Sequence, residues 1–389
     1  MDEPEAALNR PDGAQEMERT EKTGTHYIPA QAEPWQYALK HSQSFALFNE
    51  RGDIVSGHDR ADGLYHRDTR VLSKWRLLFN GHSPLFLSST IRDDNAALLV
   101  DLTNPDIYRG DRLLQPRDTM HIVRTIFLWD EGCHQRVAIS NYGQNSQRNT
   151  LRLEFDADFI DLFEVRGHRT VAHGTVAARV AEKNRVVFDY TATDGLRQTT
   201  AVALDPAPDR LDETAAEWDL ELAPGHRCML FARVDPTTRR ASSARSFLTS
   251  MRMARTALSR LSSRATAIES SNEIFNEIMR RSIADLYMLI TQTEDGSYPF
   301  AGVPWFSTPF GRDGIITALE MLWVDPAVAR GVLQFLARTQ ARREDPQADA
   351  EPGKILHEMR FGGAASLSLG GGQVYYGTAD ATPLFVMLL

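Results

Sequence analysis

Cysteine is nearly absent from this chain: Cys133 and Cys228 are the only two in 389 residues. Two thiols exclude a disulfide scaffold and a cysteine-based zinc site. A reducing, cytoplasmic setting is the natural reading. Positive charge is also in short supply. The 43 Lys and Arg are outnumbered by 52 Asp and Glu, for a formal net charge of −9. That balance argues against a nucleic-acid partner. No apolar run reaches the ~18 residues that a membrane span needs, so no membrane partner is expected. Residues 1–25 are polar and charged, without the apolar centre of a signal peptide. They read as a disordered tail. No repeat of fixed period is visible. What the chain does have is a 42% hydrophobic share, enough for a real core, and a length of roughly two to three domains at ~100–200 residues each.

From about Gln43 to Val234 the pattern is short strands and turns. Thr125–Trp129, then Asp130-Glu131-Gly132, then Gln135–Ser140 reads as a hairpin with a glycine-containing turn. Leu151–Phe159 alternates apolar and polar residues, as a half-buried strand does. Val186–Tyr190, Ala201–Leu204 and Cys228–Val234 continue the series. Regularly spaced strands punctuated by Gly, Asn, Asp and Pro predict an antiparallel β-sandwich. Two charge-rich stretches within it, Gly63–Arg70 and Asp161–Gly167, read first as salt-bridged loops rather than binding sites.

The signal changes after Pro236. Ser242–Arg264 is rich in Ser, Arg and Ala and reads as a polar linker, at least partly helical. A helix follows from Ser271, which suits its N-cap, with Ile274, Ile278, Leu286 and Ile290 on one face. Another opens at Asp325-Pro326, with proline at the first position and a stripe of Val328, Val332, Leu333 and Leu336. A loop over about 343–376 is too long for a mere connection. The last helix begins near Ala381. The C-terminal part therefore reads as helix and long loop throughout.

The segment Ala301–Thr317 carries the densest chemistry. It places Trp305, Phe306, Phe310 and the pair Arg312–Asp313 ahead of an amphipathic helix bearing Ile315, Ile316, Leu319 and Leu322. Aromatic faces beside a fixed cation–carboxylate pair suit a ligand polar at its rim and apolar on its faces, such as a sugar. Two roles fit Asp313: a cap or first-turn acid favoured by the helix dipole, or a ligand-facing carboxylate. The aromatics fit a core as well as a ligand platform. Lys354–Arg360 lies in the long loop, where His357, Glu358 and Arg360 either address ligand hydroxyls or form a solvated charged stretch. His357-Glu358 does not extend to His-Glu-x-x-His, because position 361 is Phe, so no metal site is assigned. Gly370–Gly372 has no following Gly-Lys-Ser/Thr and reads as a flexible turn. Asp380, ahead of Pro383, is a cap or a ligand-facing carboxylate. Glycoside hydrolysis needs two carboxylates facing each other across the bond. Asp313, Glu358 and Asp380 are the local candidates.

Five ordered stretches resemble the bacterial amylo-α-1,6-glucosidase or glycogen-debranching-enzyme-like family, from about Ser44 to Leu389. They are Gly63–Ser73, Asp156–Gly167, Trp305–Glu320, Gly353–Arg360 and Tyr375–Phe385. The resemblance implies a β + α multidomain fold: an N-terminal antiparallel β-sandwich followed by the first helices of an (α/α)6 toroid of the glucoamylase type. The implied division is a tail and lead-in over 1–40, the sandwich over 41–240, a partly helical linker over 241–270 and toroid helices over 271–389. Arg312 and Asp313 fall on a pair that, in the wider group, holds hydroxyls of the non-reducing terminal sugar. Trp305, Glu358, Tyr376 and Asp380 are expected to line the same pocket.

In similar enzymes the acid and base carboxylates lie on later loops of the toroid. This sequence is therefore expected to be a truncated chain with an incomplete toroid, no catalytic residue of its own and little or no turnover. Its α-glucan or oligosaccharide partner is bound without metal or organic cofactor. Exposed apolar faces on the last helices are expected to invite self-association. An alternative from another class is a noncatalytic carbohydrate-binding or assembly module built on residues 40–235. A third reading keeps catalysis within the chain, with Asp380 as acid and Asp313 or Glu358 as base.

Overall fold

Among the described residues, antiparallel strands dominate from Tyr37 to Asp235. The computed structural model describes residues 37–57, 60–167, 173–193, 195–237, 242–362 and 373–389. The expected tail over 1–25 and the glycine turn Gly370–Gly372 lie outside these residues.

Two sheets face each other. The larger has eight strands in the spatial order Thr175–Glu182, Arg185–Thr191, Arg197–Asp205, Arg227–Asp235, Gly132–Asn141, Met120–Trp129, Leu98–Thr103 and Leu85–Ile91. The smaller has five, ordered Arg210–Leu211, Ala215–Leu222, Gln147–Asp156, Lys74–Phe79 and Ile54–Val55. Period-2 alternation explains the packing. Along Gln147–Asp156 the side chains of Asn149, Leu151, Leu153 and Phe155 point inward. Of these, Leu151, Leu153 and Phe155 meet Ile126, Val137, Ile139 and Val186 of the larger sheet in one buried cluster. This is the antiparallel sandwich expected from the sequence. Its strand ends earlier than the alternation implies: Phe159 has φ +52° and lies beyond the strand.

The hairpin Met120–Trp129/Gly132–Asn141 turns on Asp130 and Glu131 alone, both at positive φ (51° and 60°). Gly132, expected in the turn, pairs with Trp129 in the ladder. A two-residue turn with both φ positive matches the twist of its strands. A third sheet, of four strands, runs Tyr37–His41, Ser44–Phe48, Gly63–His66, Thr69–Leu72. The stretch Gly63–Arg70 is thus a hairpin and not a loop. Its turn residues Arg67 and Asp68 also take positive φ (49° and 64°).

Six helices follow the chain order among the described residues. Helix α1 (Leu162–Val165) is one turn capped by the Asp161 side chain. It replaces the loop expected at Asp161–Gly167. Helix α2 (Ala244–Ser262) occupies the stretch read as a linker and is helical over 19 residues. Ser243 and Ser246 cap it reciprocally. Phe247 anchors it on the sandwich, edge-on to Phe127 at 5.1 Å. Helix α3 (Glu273–Leu289) is capped by Asn272, not Ser271. Helices α4 (Gly311–Met321), α5 (Pro326–Thr339) and α6 (Ala381–Leu388) complete the set. Asp325 caps α5 and Pro326 sits in its first turn, as expected.

The C-terminal part is not helix and loop throughout. Ile290–Thr293 and Gly296–Pro299 form a hairpin, and Glu358–Met359 pairs with Val374–Tyr375. Buried Tyr298, Ile315, Val328, Val332, Leu336 and Leu356 make a second core. The face of α3 read as buried is open at its N-terminal end: Ile274 is 74% exposed. None of these helices is long and apolar enough to cross a membrane.

Candidate functional site

Helix α4 begins where the backbone leaves room for nothing but hydrogen. At Gly311 a Cβ would stand 2.0 Å from the Leu356 carbonyl oxygen. The Gly311 amide donates to His357 O at 3.0 Å, and the Met359 amide donates to Pro309 O at 3.0 Å. The Thr308 hydroxyl donates to Met359 O. Tyr298, fully buried, donates its hydroxyl to Phe310 O at 2.8 Å. The 308–311 and 356–360 segments are thus stitched together beside the start of α4.

Arg312 and Asp313 occupy the first turn of that helix. The N-cap position is Phe310, and no side chain caps it. Asp313 is therefore a first-turn acid and not an N-cap, favoured there by the helix dipole. Arg312 reaches two carboxylates: Nη1 lies 3.3 Å from Asp380 Oδ2, and Nε lies 3.9 Å from Asp313 Oδ2. The Asp380 side chain does not cap α6. It accepts from the Thr378 hydroxyl at 2.5 Å. That bond, with the Arg312 guanidinium, outweighs slight burial and holds the Asp380 carboxyl below its usual range. All three side chains remain open to solvent: 46% for Arg312, 39% for Asp313 and 44% for Asp380.

Glu358 sits across a bridge from Phe310 but faces a different cation. Its Oε2 accepts from Arg360 Nε at 3.0 Å. Arg360 is buried and not ligand-facing. Its Nη1 lies 3.3 Å from Asp68 Oδ1, and its Nη2 donates to Trp305 O at 3.1 Å. Its guanidinium covers the rings of Phe163 and Phe310 at 4.9 and 5.4 Å. A second Asp68 oxygen accepts the Phe361 amide at 2.9 Å. Sequence reading missed Asp68, because nothing in a local hairpin pattern signals a partner 292 residues away.

Trp305 is half-buried against the cluster of Phe45, Leu47, Tyr65 and Leu162. The Arg166 guanidinium lies 5.8 Å from its ring and 5.6 Å from that of Phe306. Tyr376 packs on the second core and donates its hydroxyl to Thr339 O at 2.7 Å. Burial raises its phenol pKa. The structure thus brings Arg312, Asp313 and Asp380 into one charged group. Glu358 and Trp305 meet through Arg360, and Tyr376 stands apart with its hydroxyl engaged. Among the described residues, cavities lie elsewhere. One of about 680 Å³ includes Arg252, Arg255 and Tyr287, and one of about 250 Å³ lies between the sandwich and α2.

Comparison with known proteins bears on the fold and the family. No curated protein matches the sequence. Among solved structures, a bacterial glucoamylase complexed with acarbose aligns over 92% of this chain and 56% of its own, at TM-score 0.54 and 10% identity. A protein provisionally described as a kojibiose phosphorylase from the human microbiome aligns over 78% of this chain and 46% of its own, at TM-score 0.53 and 10% identity. The chain spans about half the length of each. At such identity the likeness concerns fold alone, and it agrees with an N-terminal β domain followed by helices of the glucoamylase type. The sequence match is more specific: residues 39–233 fit the N-terminal domain of (some) glycogen debranching enzymes. Matched over half of its length by that family, the chain belongs to it.

Proposed function

We propose that this chain is part of a glycogen-debranching-like glycoside hydrolase of the amylo-α-1,6-glucosidase type, acting on α-glucans in the cytoplasm. The observation that carries this reading is the Arg312–Asp313–Asp380 group. It is an arginine shared between two carboxylates at a helix N-terminus, half open to solvent and two residues from Phe310. Charged donors and acceptors held in place are what sugar hydroxyls need. In this reading Arg312 and Asp313 hold the terminal sugar, Asp380 fixes the Arg312 fork, Trp305 and Glu358 line the same wall, and Tyr376, expected there, packs on the second core instead.

The carboxylates are read as binding groups and not as an acid–base pair. A general acid must carry a proton near neutral pH, and Asp380 is held ionised. Glu358 is engaged by Arg360. Two-carboxylate hydrolysis draws on no metal or organic cofactor. The proposed division assigns 41–240 to the sandwich and 271–389 to the toroid helices. Buried contacts between them, such as Arg360 Nη1 to Asp68 Oδ1 at 3.3 Å, support one working unit over a freestanding sandwich module.

The test is glucose release from isomaltose, panose and branched dextrin by the purified chain, with Arg312→Ala beside it. Little or no release is expected from either. Release that Arg312→Ala abolishes would place the acid and base within these residues and overturn the assignment of a binding wall.

A further inference from the structure

Asp380 stands where an aspartate ordinarily caps a helix. It holds the N-cap position of α6, yet its side chain bonds to no amide of that helix. A capping side chain accepts from the second or third residue inward. Here the third is Pro383, which has no N–H to give. The carboxylate is left for other partners, and its two oxygens are used differently. Oδ1 accepts from the Thr378 hydroxyl at 2.5 Å. Oδ2 faces Arg312 Nη1 at 3.3 Å.

The Arg312 contact does not hold this arrangement by itself. Arg312 is 46% exposed and Asp380 44%. An ion pair so open to water contributes only about 0–1 kcal/mol, and each side chain can turn away from the other. The second bond is of a stronger kind. An ionised carboxylate only accepts, so the single Thr378 O–H is the donor, and a hydroxyl on a carboxylate makes a short, charge-assisted bond. That bond is the largest of the influences that lower the Asp380 pKa, ahead of Arg312.

Thr378 also stands on anchored backbone. The Tyr376 amide donates to Ala348 O at 2.9 Å, and the Tyr376 hydroxyl donates to Thr339 O at 2.7 Å. The Thr378 amide donates to Tyr376 O at 2.8 Å. On the other side of Asp380, the Ile355 amide donates to Thr382 Oγ1 at 3.1 Å and ties down the start of α6. The hydroxyl and the carboxylate are thus held in place from both sides. We propose that Thr378 is a positioning residue of the sugar-holding group: its hydroxyl fixes the Asp380 carboxylate, which in turn aims the Arg312 guanidinium at ligand hydroxyls. This inference rests on the reading of Arg312, Asp313 and Asp380 as that group, and Thr378 acts in it only through Asp380.

Two substitutions separate the hydroxyl from the shape. Thr378→Val keeps the branched side chain and loses the donor. Thr378→Ser keeps the donor and loses the methyl group. Panose is titrated calorimetrically into the full chain and both variants, with Arg312→Ala as the reference. In parallel, carbon-13 NMR of aspartate-labelled protein follows the Asp380 carboxyl with pH, its signal assigned through Asp380→Asn. Thr378→Val should bind panose roughly three- to tenfold more weakly, and its Asp380 should titrate at higher pH than in the wild type. Thr378→Ser should stay within about twofold of wild-type affinity and keep the low titration. Wild-type affinity in Thr378→Val, alongside lost binding in Arg312→Ala, overturns the role of Thr378 and leaves the sugar-holding group standing. Weaker binding with an unmoved Asp380 titration overturns it as well, and so does a Thr378→Ser variant as weak as Thr378→Val. No panose binding by the wild type overturns the underlying reading, and the inference with it, whatever the carboxyl titration shows.

Discussion

Asp68 and Arg360 form a buried ion pair between the sandwich and the segment beside α4, 3.3 Å from Oδ1 to Nη1, with both side chains 2% exposed. Through this pair a turn of the N-terminal part sets the position of Glu358, Phe361 and the Trp305 carbonyl. The next glycine, Gly362, fits only because it lacks a side chain, since a Cβ would stand 2.5 Å from Asp161 Oδ2.

The first prediction concerns that pair. Removing one partner of a buried, hydrogen-bonded ion pair leaves the other charge stranded, which costs about 3–5 kcal/mol. Asp68→Asn keeps the shape and tolerates the turn's positive φ while removing the charge. Arg360 keeps Glu358 as a second counter-charge, so urea unfolding should show a loss of ~1.5–3 kcal/mol rather than the full penalty. A change under ~1 kcal/mol would mean that the pair is not what holds this segment.

A second prediction follows from Gly311. A methyl group there would overlap the Leu356 carbonyl oxygen, which is backbone and cannot swing away. Gly311→Ala should destabilise by ~1–3 kcal/mol, as overpacking does. It should also weaken any ligand held by Arg312 on the adjacent residue. Unchanged stability, with the wild-type backbone retained in a crystal structure of the variant, would refute the close approach.

Acid sensitivity is the third. Burial alone would raise the Glu131 pKa, but the hydrogen bond and charge of His66, with donors from Ser42 and Ser44, bring it down to about 2. A carboxyl depressed on folding contributes stability that is fully present above its unfolded pKa, near 4.5. That contribution is lost as pH falls through about 2. Its size is on the order of 3 kcal/mol. Glu131→Gln should therefore cost stability at pH 7 and cost much less near pH 2. A pH-independent difference would show that the interaction is not electrostatic.

Fourth, Ile274 and Ile278 stand 74% and 56% exposed on α3, and Met387 stands 71% exposed on α6. Ile274 and Ile278, one turn apart on α3, present exposed apolar surface that favours association. Light scattering should give a mass that rises with concentration, and Ile274→Lys with Ile278→Lys should reduce the rise. A strictly monomeric wild-type chain would count against self-association.

The sandwich was largely legible because alternation with period two reports a half-buried strand directly, as along Leu151–Phe155. Helix α5 was legible through Asp325 and Pro326. Helix α2 reads as a partly helical linker because most of its Ser and Arg positions face solvent and only Phe247, Ser250 and Ala254 are buried. The short pair Glu358–Met359 with Val374–Tyr375 left no periodic trace, since two residues cannot show one. Among the candidate site residues, Arg312, Asp313 and Asp380 were nameable from type and position. That Arg360 belongs to the interior was not, because its partner Asp68 is 292 positions away. Only the folded chain reveals that contact.

The measurement that bears most directly on the account is calorimetric titration of panose into the wild-type chain, Arg312→Ala and Asp380→Ala. A charged hydrogen bond is worth ~1.5–3 kcal/mol. Saturable binding by the wild type and at least about tenfold weaker binding by both variants is the predicted result. Equal affinity across the three proteins, or no binding by the wild type, would contradict the assignment of Arg312, Asp313 and Asp380 as the sugar-holding group.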